Sequence, residues 1–420
     1  MNTLTRTCWA LALICLGATH SARAGDVDVL HFWTSPGEAR SPDELKALIS
    51  ERGHRWKDFA VVGGGGQNAM ALLEQPVLAG TPPASASIKG PAMREWAAQG
   101  CLTNLDAMAL FGQWDQILPA VVQEQVKYRG HDVAVPVNIH RVNWLWSNAE
   151  VLRKADVASV PSTFEQLFAA ADRIKAAGYV AIAHGGQAWQ DFTLFESVAL
   201  GAGGFTFYTR AFVQLDPSAL SSAEMRRSLE TFRRLKSRTD DKSNGRDWHI
   251  TTAMVIQGQA GFQFLDDWAK GEITVAGRQP GKDYNRSAAP GTAGHYTFVI
   301  DTFAMFQLRN WEAQKAQGYL AYVLMGEAFQ SKFNQRKGAI PARRTVDLGP
   351  FDECAKASRC DFDASALTNT LLPSVAVDMA LPTLTQAALR CVASELCNND
   401  TLTPSEAMRR LTVAAATPAK

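Results

Sequence analysis

The stretch Val27-Asp28-Val29-Leu30-His31-Phe32-Trp33, followed at once by Thr34-Ser35-Pro36-Gly37-Glu38, decides how this chain is read. Its first part has the apolar, β-favouring composition of a buried strand. An aromatic pair ends the strand, and hydroxyl, glycine and carboxylate groups follow before a helix expected over 37–52. In an open α/β sheet, ligands bind beyond the carboxyl ends of the strands. An aromatic face beside hydrogen-bonding groups suits a ligand with apolar C–H faces and a rim of hydroxyls, which describes a sugar.

Outward from this strand the pattern repeats. Strands are expected at 59–62 and 84–88, with helices at 67–79 and 91–98 between and after them. Short apolar strands alternating with amphipathic helices indicate a parallel sheet covered on both faces. Around 128–137 the pattern changes to a hairpin about Gly130 that ends in Pro136, a candidate crossover into a second, more helical lobe. That lobe is expected to open with a strand at 143–146. Ser162-Thr163-Phe164-Glu165 reads as a capping box for a helix with Phe164, Leu167, Phe168, Ala171 and Ile174 on its apolar face. A surface helix over 221–237 turns Met225, Leu229, Phe232 and Leu235 inward. One apolar strand over 298–306, carrying the single charge of Asp301, returns the chain to the first lobe, and a passage at 340–346 returns it to the second. Three such passages make a hinge. The expected division is 1–24 leader; 25–136 with 297–343, lobe 1; 137–296 with 344–412, lobe 2; and 413–420, a flexible tail.

The leader is read from Arg6, an apolar run of about eleven residues from Cys8, and Ala22-Arg23-Ala24. The run is well short of the roughly 20 residues that span a bilayer, so it is expected to be a cleaved secretory signal, and the mature protein is expected to be exported and soluble. Cleavage after Ala24 leaves 396 of 420 residues, enough for two domains. It also removes two arginines and no acid, shifting a net charge of +1 to −1. That near-neutral balance argues against a nucleic-acid partner. Four of the five remaining cysteines crowd near the carboxyl end. In an oxidising compartment two bridges are expected, most simply Cys354–Cys360 and Cys391–Cys397, although sequence alone leaves three pairings open. Cys101 is left as a buried thiol. No Cys-x-x-Cys or paired histidine supports zinc, and neither a metal nor a cofactor is expected.

Several further strand ends carry chemistry. Gly63-Gly64-Gly65-Gly66 precedes a helix but lacks the Lys-Ser/Thr pair of a phosphate loop, so it reads as a tight turn with close backbone approach. Lys89, in Ile88-Lys89-Gly90-Pro91, offers an ammonium with three donors. His140 and Arg141 sit in the polar and aromatic crossover. His184-Gly185-Gly186-Gln187 opens a helix with Trp189 and Gln190 placed for a cleft wall. Trp268 is a second stacking platform, expected opposite Trp33. The acids Glu38, Asp266, Asp267 and Asp301 raise a glycosidase reading, which needs two carboxylates at a set separation. No catalytic motif accompanies them, and sugar hydroxyls explain acceptor groups without chemistry, so no enzyme activity is expected.

These segments, with Gly245-Arg246-Asp247-Trp248, Asp267-Trp268-Ala269-Lys270, Ile300-Asp301 and Lys337-Gly338, closely resemble the glucose-binding members of the periplasmic sugar-binding proteins of bacterial ABC importers, the family-1 extracellular solute-binding proteins. The resemblance runs through nearly the whole mature chain in the same order. It implies an α/β, two-lobe periplasmic-binding-protein fold with a ligand cleft and hinge between the lobes. It further implies a monomer that closes on a monosaccharide or small glycoside and hands it to membrane permease subunits. The implied sugar contacts are Trp33, Glu38, Lys89, Trp268, Asp301 and Lys337, together with Arg141, His184 and Gln187. Phe32, Val299 and Val377 stand where those relatives carry tryptophan, asparagine and histidine, departures that bear on which sugar binds. Output to a sensor kinase and a secreted carbohydrate-active enzyme are the alternative functions.

Overall fold

The computed structural model describes residues 25–416, so the expected leader lies outside the described residues. A five-stranded sheet forms the core of the first lobe, in the order Arg55–Ala60, Asp26–His31, Ser85–Lys89, Asp301–Met305, Ala134–Pro136. The first three strands are parallel. The Asp301–Met305 strand runs antiparallel to both of its neighbours. The second lobe is built on a four-stranded sheet ordered Tyr284–Ala288, Trp144–Asn148, Ala260–Phe264, Val180–Ile182. Helices cover both sheets, giving a two-lobed α/β architecture.

A third sheet, ordered Ile340–Pro341, Asn138–Arg141, Tyr296–Val299, Leu371–Pro373, lies where the chain changes lobes. The single strand expected over 298–306 is in fact two strands separated by Ile300. The break lets Phe298 and Val299 pair with Arg141 and His140 while Asp301 pairs with Lys89 in the first sheet. Val137 makes the same one-residue step between Pro136 and Asn138.

Local signals account for most helix boundaries. Thr163 caps Phe164–Ala176 by accepting from Gln166 N, while the Gln166 side chain reaches back to Ser162 N, so the reciprocal partner is Gln166 rather than Glu165. All five expected apolar residues of that helix are buried. Ser222 caps Ala223–Lys236, whose inward stripe includes Met225, Leu229, Phe232 and Leu235. The helix Pro404–Ala415 carries order beyond the expected start of the tail, because Ala407, Leu411 and Ala414 extend one buried face.

The expected disulfides are overturned: all five described cysteines are free. Cys354 and Cys360 lie on one helix, Glu353–Leu367, and Cys391 and Cys397 on another, Thr383–Asn398. Six residues of α-helix rise about 9 Å, beyond the ~7 Å Cα separation that a disulfide tolerates. A thiol reductant should therefore leave the melting temperature of the purified protein within about 1 °C, because the ~2–4 kcal/mol of a structural bridge is not there to be lost. A drop of several degrees would mean that a bridge exists.

Candidate functional site

The carboxyl ends of the first lobe's strands face the second lobe and enclose a small cavity of about 50 Å³. Six of the nine expected contacts line it: Glu38, Lys89, Gln187, Trp268, Asp301 and Lys337. Asp301 and Lys89 are register partners on adjacent strands, which sets opposite charges side by side at the sheet end. The Asp301 carboxylate accepts from Asn138 Nδ2 at 2.9 Å and lies 3.3 Å from His140 Nε2. Burial pushes this carboxyl up, but His140, Lys337 and Lys89 together hold it well below the usual carboxylate range. His140 is fully buried between Asp301 and Asp267; burial favours the neutral ring, yet the two acids raise its pKa above the usual value.

Lys337 ends the helix Glu327–Lys337, and Gly338 follows in the left-handed conformation that closes such a helix. Its ammonium pairs with Glu38, which also accepts from Ser35 Oγ at 3.1 Å. It sits between two indoles, 5.6 Å from the Trp33 ring and 5.7 Å from that of Trp268. Lys89 Nζ donates to Gly65 O at 3.0 Å and stands 4.9 Å over the Phe32 ring. The glycine turn is as close as its sequence suggested. Gly65 and Gly66 have positive φ, and added Cβ atoms would stand 3.2 Å from Trp189 and 3.1 Å from Phe32.

Trp268 forms the second lobe's wall with Trp189 and Trp248, at ring separations of 6.0 and 6.3 Å. Its Nε1 is buried and has no partner among the described residues. Gln187 is fixed between Asp247 Oδ1, to which its Nε2 donates at 2.6 Å, and Trp189 Nε1, which donates to its Oε1 at 2.8 Å. The result is a chamber with aromatic walls and charged hydrogen-bonding groups, able to cover the faces of a ring and pair with hydroxyls at its rim.

Three expected contacts lie elsewhere. Trp33 is 1 % exposed and packs edge-on against Phe303 at 5.5 Å, so the aromatic lining the cavity at this strand end is Phe32. Strand alternation explains the correction, since Trp33 continues the core face of Val27 and Val29 while Phe32 falls on the opposite face. The Arg141 side chain is buried over Trp144, bonded to Asp361 and Asn143, and only its backbone N–H reaches toward the site, donating to Asp267 Oδ2. His184 is held by Asp191 at 2.7 Å, away from the cavity. His184, Asp191 and Cys397 have ligand atoms within 4.8 Å of one another. Ser394 Oγ and Asn398 Nδ2 also donate to Asp191, at 2.6 and 3.2 Å, so Asp191 joins His184 to the helix Thr383–Asn398 through a hydrogen-bond network. The cavity residues that the sequence did not mark as contacts include Phe32, Asp247 and His249. Phe32 was legible through alternation, and Asp247 lies in a segment that carries the resemblance without being marked as a contact; His249 carried no local signal.

Glu196 anchors the segment that brings Val377 into the cavity wall. It accepts from Ser374 Oγ at 2.5 Å, Val375 N at 3.0 Å, Ala376 N at 3.2 Å and Tyr208 Oη at 3.1 Å. Burial nevertheless raises its carboxyl from 4.5 to about 7. Between those values the folded chain keeps a proton that the unfolded chain has lost. This group's contribution to stability is therefore full at low pH and falls by about 3 kcal/mol as pH rises toward 7. Urea unfolding at pH 5 and 7.5 should show Glu196→Gln losing that share of the slope; an unchanged slope would contradict the assignment.

Comparison with known proteins places this architecture. The model of the bacterial extracellular solute-binding protein family matches residues 58–323. A probable sugar-binding periplasmic protein of Rhizobium meliloti (strain 1021) is 42 % identical, over 97 % of this chain and 98 % of its own. Among solved structures, the bacterial solute receptor AcbH, described as exclusive for β-D-galactopyranose, aligns with a TM-score of 0.77. That alignment has 16 % identity and covers 93 % of this chain and 97 % of the receptor. A chitin oligosaccharide binding protein also gives 0.77, at 15 % identity, covering 93 % of this chain and 98 % of its own. At such identities the structural likeness speaks for the fold, while the family match and the near full-length relative speak for descent. The chain belongs to the bacterial extracellular solute-binding proteins.

Proposed function

We propose that this protein is a periplasmic sugar receptor that holds one pyranose ring, glucose or a related hexose, in the interlobe chamber and delivers it to an ABC importer. The observation that carries this reading is the chamber itself, where Phe32 and Trp268 form aromatic walls and Lys89, Lys337, Asp301 and Glu38 supply charged donors and acceptors. Charge-assisted hydrogen bonds are the strong ones, and a micromolar Kd needs only about −8 kcal/mol. The names of the full-length relatives point the same way. Of the expected contacts outside the chamber, Trp33 supports Lys337, and the Arg141 backbone supports Asp267. The lobes are proposed as 25–136 with 297–343 and 137–296 with 344–412, closing about the third sheet. The acids serve as acceptors, without catalysis. Ligand stabilises the closed form, and that form presents the face a permease reads.

Calorimetry of the mature protein against hexoses, pentoses and disaccharides tests this directly; no heat from any carbohydrate would sink it. Val377, 3 % exposed, contributes an apolar group to the chamber wall. Val377→His should raise glucose affinity by up to about tenfold, the effect of one added hydrogen bond. Unchanged affinity would show that this position does not select the sugar.

A further inference from the structure

His140 stands where the three sheets meet. It lies on the third-sheet strand Asn138–Arg141, in register with Val299. Through Nε2 its ring reaches Asp301, which opens a strand of the first lobe's sheet. Through Nδ1 it bonds Asp267, just beyond the strand Ala260–Phe264 of the second lobe's sheet. Among the described residues, it is the one side chain hydrogen-bonded to both acids. Asp301 lines the chamber, and Asp267 directly precedes Trp268, which also lines it. The ring meets the Trp268 indole edge-on, with 5.2 Å between centroids. His140 itself is fully buried outside the chamber lining, so it acts on a ligand only through these neighbours.

The hydrogen bonds around the ring define two states. Asn138 Oδ1 accepts from Asp301 N at 3.0 Å, which fixes Asn138 Nδ2 toward Asp301 Oδ2 at 2.9 Å and His140 Nε2 at 3.0 Å. A neutral ring that donates from Nδ1 to Asp267 accepts from Asn138 at Nε2, but turns that lone pair on the Asp301 oxygen 3.3 Å away. A doubly protonated ring donates to both carboxylates, and charge-assisted bonds are the stronger kind. The surrounding charges favour the second state. Burial opposes the ring's charge, and the two acids overcome it. Asp266 is uncharged, because burial pushes its carboxyl far up, and burial likewise keeps the Tyr296 phenol neutral. The nearby cations are engaged elsewhere: Lys337 with Glu38, Lys270 with Asp352, the Arg141 guanidinium with Asp361, and Lys89 with Gly65 O.

We propose that the His140 imidazolium is the positioning group of the chamber: it orients the Asp301 acceptor from one lobe and, through Asp267, the Trp268 wall from the other, so that sugar affinity depends on its second proton. This deepens the sugar-binding reading above and rests on it. The test is calorimetry of the mature protein with glucose, galactose, mannose, maltose and cellobiose between about pH 6 and 9.5. A proton held above the usual histidine range is lost as pH rises, so affinity should fall toward alkaline pH by about tenfold or more, the worth of one hydrogen bond to a charged group. His140→Gln should bind about tenfold or more weakly at pH 6 and lose most of that slope. Glu196, whose carboxyl lies at about 7, titrates in both proteins, so the difference between the two curves is the share of His140. Nuclear magnetic resonance of the sugar-free wild type, with the His140 signals identified by their loss in the variant, should show this ring still doubly protonated at about pH 7.5. If the variant does not fold, the wild-type slope alone decides. The inference is overturned if sugar binds with level affinity across this range, if His140→Gln keeps the wild-type slope, or if the ring is neutral at that pH. If none of these sugars binds while the ring stays protonated, the sugar reading itself falls, and the role of His140 with it.

Discussion

Asp301→Asn should lower sugar affinity on the order of 10²-fold or more while leaving a folded protein. The carboxylate lines the chamber, faces Lys89 across the strand register and accepts from Asn138. His140 and the two lysines keep it ionised despite burial, so it meets a sugar hydroxyl as a charged acceptor. Truncating one partner of a buried, hydrogen-bonded charge set costs about 2–5 kcal/mol, and 2.8 kcal/mol is already about 10²-fold. Asp301→Ala should add a stability loss of about 3 kcal/mol, because His140 then keeps only Asp267 and the lysines lose their shared counter-charge. Calorimetry reads the first effect and urea unfolding the second. Wild-type affinity in Asp301→Asn would remove Asp301 from the site.

The second large effect is at Trp268. Trp268→Ala should weaken binding by roughly 30-fold to 150-fold, about 2–3 kcal/mol, the range of a buried aromatic anchor. The indole lines the chamber, has an Nε1–H with no partner among the described residues and is a cation–π partner for Lys337. It also packs against His140, Trp189 and Trp248, so the alanine variant is expected to lose stability as well. Trp268→Phe separates the two roles, since it keeps most of the stacking face but loses the N–H. It should recover affinity to within about tenfold of wild type, roughly the value of one hydrogen bond. If phenylalanine binds no better than alanine, the ring face is not what the sugar meets.

Much of the site was legible because its carriers sit at strand and helix ends, where local composition announces them. Lys89 closes its apolar strand, Lys337 precedes a helix-ending glycine, and Trp268 ends a buried run. Asp301 instead opens its strand, and stood out as the single charge in an apolar stretch. The misses have equally specific causes. Arg141 and His184 occupy similar positions, but their side chains found partners distant in sequence or away from the chamber, Asp361 for one and Asp191 for the other, and no local pattern encodes such a partner. Asp247, Trp248 and His249 reach the chamber only because the 186–245 region folds back on itself, through Gly186 N donating to Ser243 O at 2.7 Å and Gly245 N to Gly186 O at 3.3 Å. The break at Ile300 was hidden inside one continuous apolar run, since hydrophobicity does not record which sheet each half joins.

The opening strand shows the division most clearly. Its residues alone determined a buried strand, an aromatic pair at its carboxyl end and a hydroxyl-carboxylate loop beyond. Alternation also required Phe32 and Trp33 to point to opposite faces. Which of those faces the second lobe would close over was settled only by tertiary packing. The helix Glu327–Lys337 brought Phe333 onto Trp33 and made it core, leaving Phe32 to line the cleft with Lys89. Sequence period determines that neighbouring side chains diverge, but only the elements packed on each face decide which side chain meets a ligand.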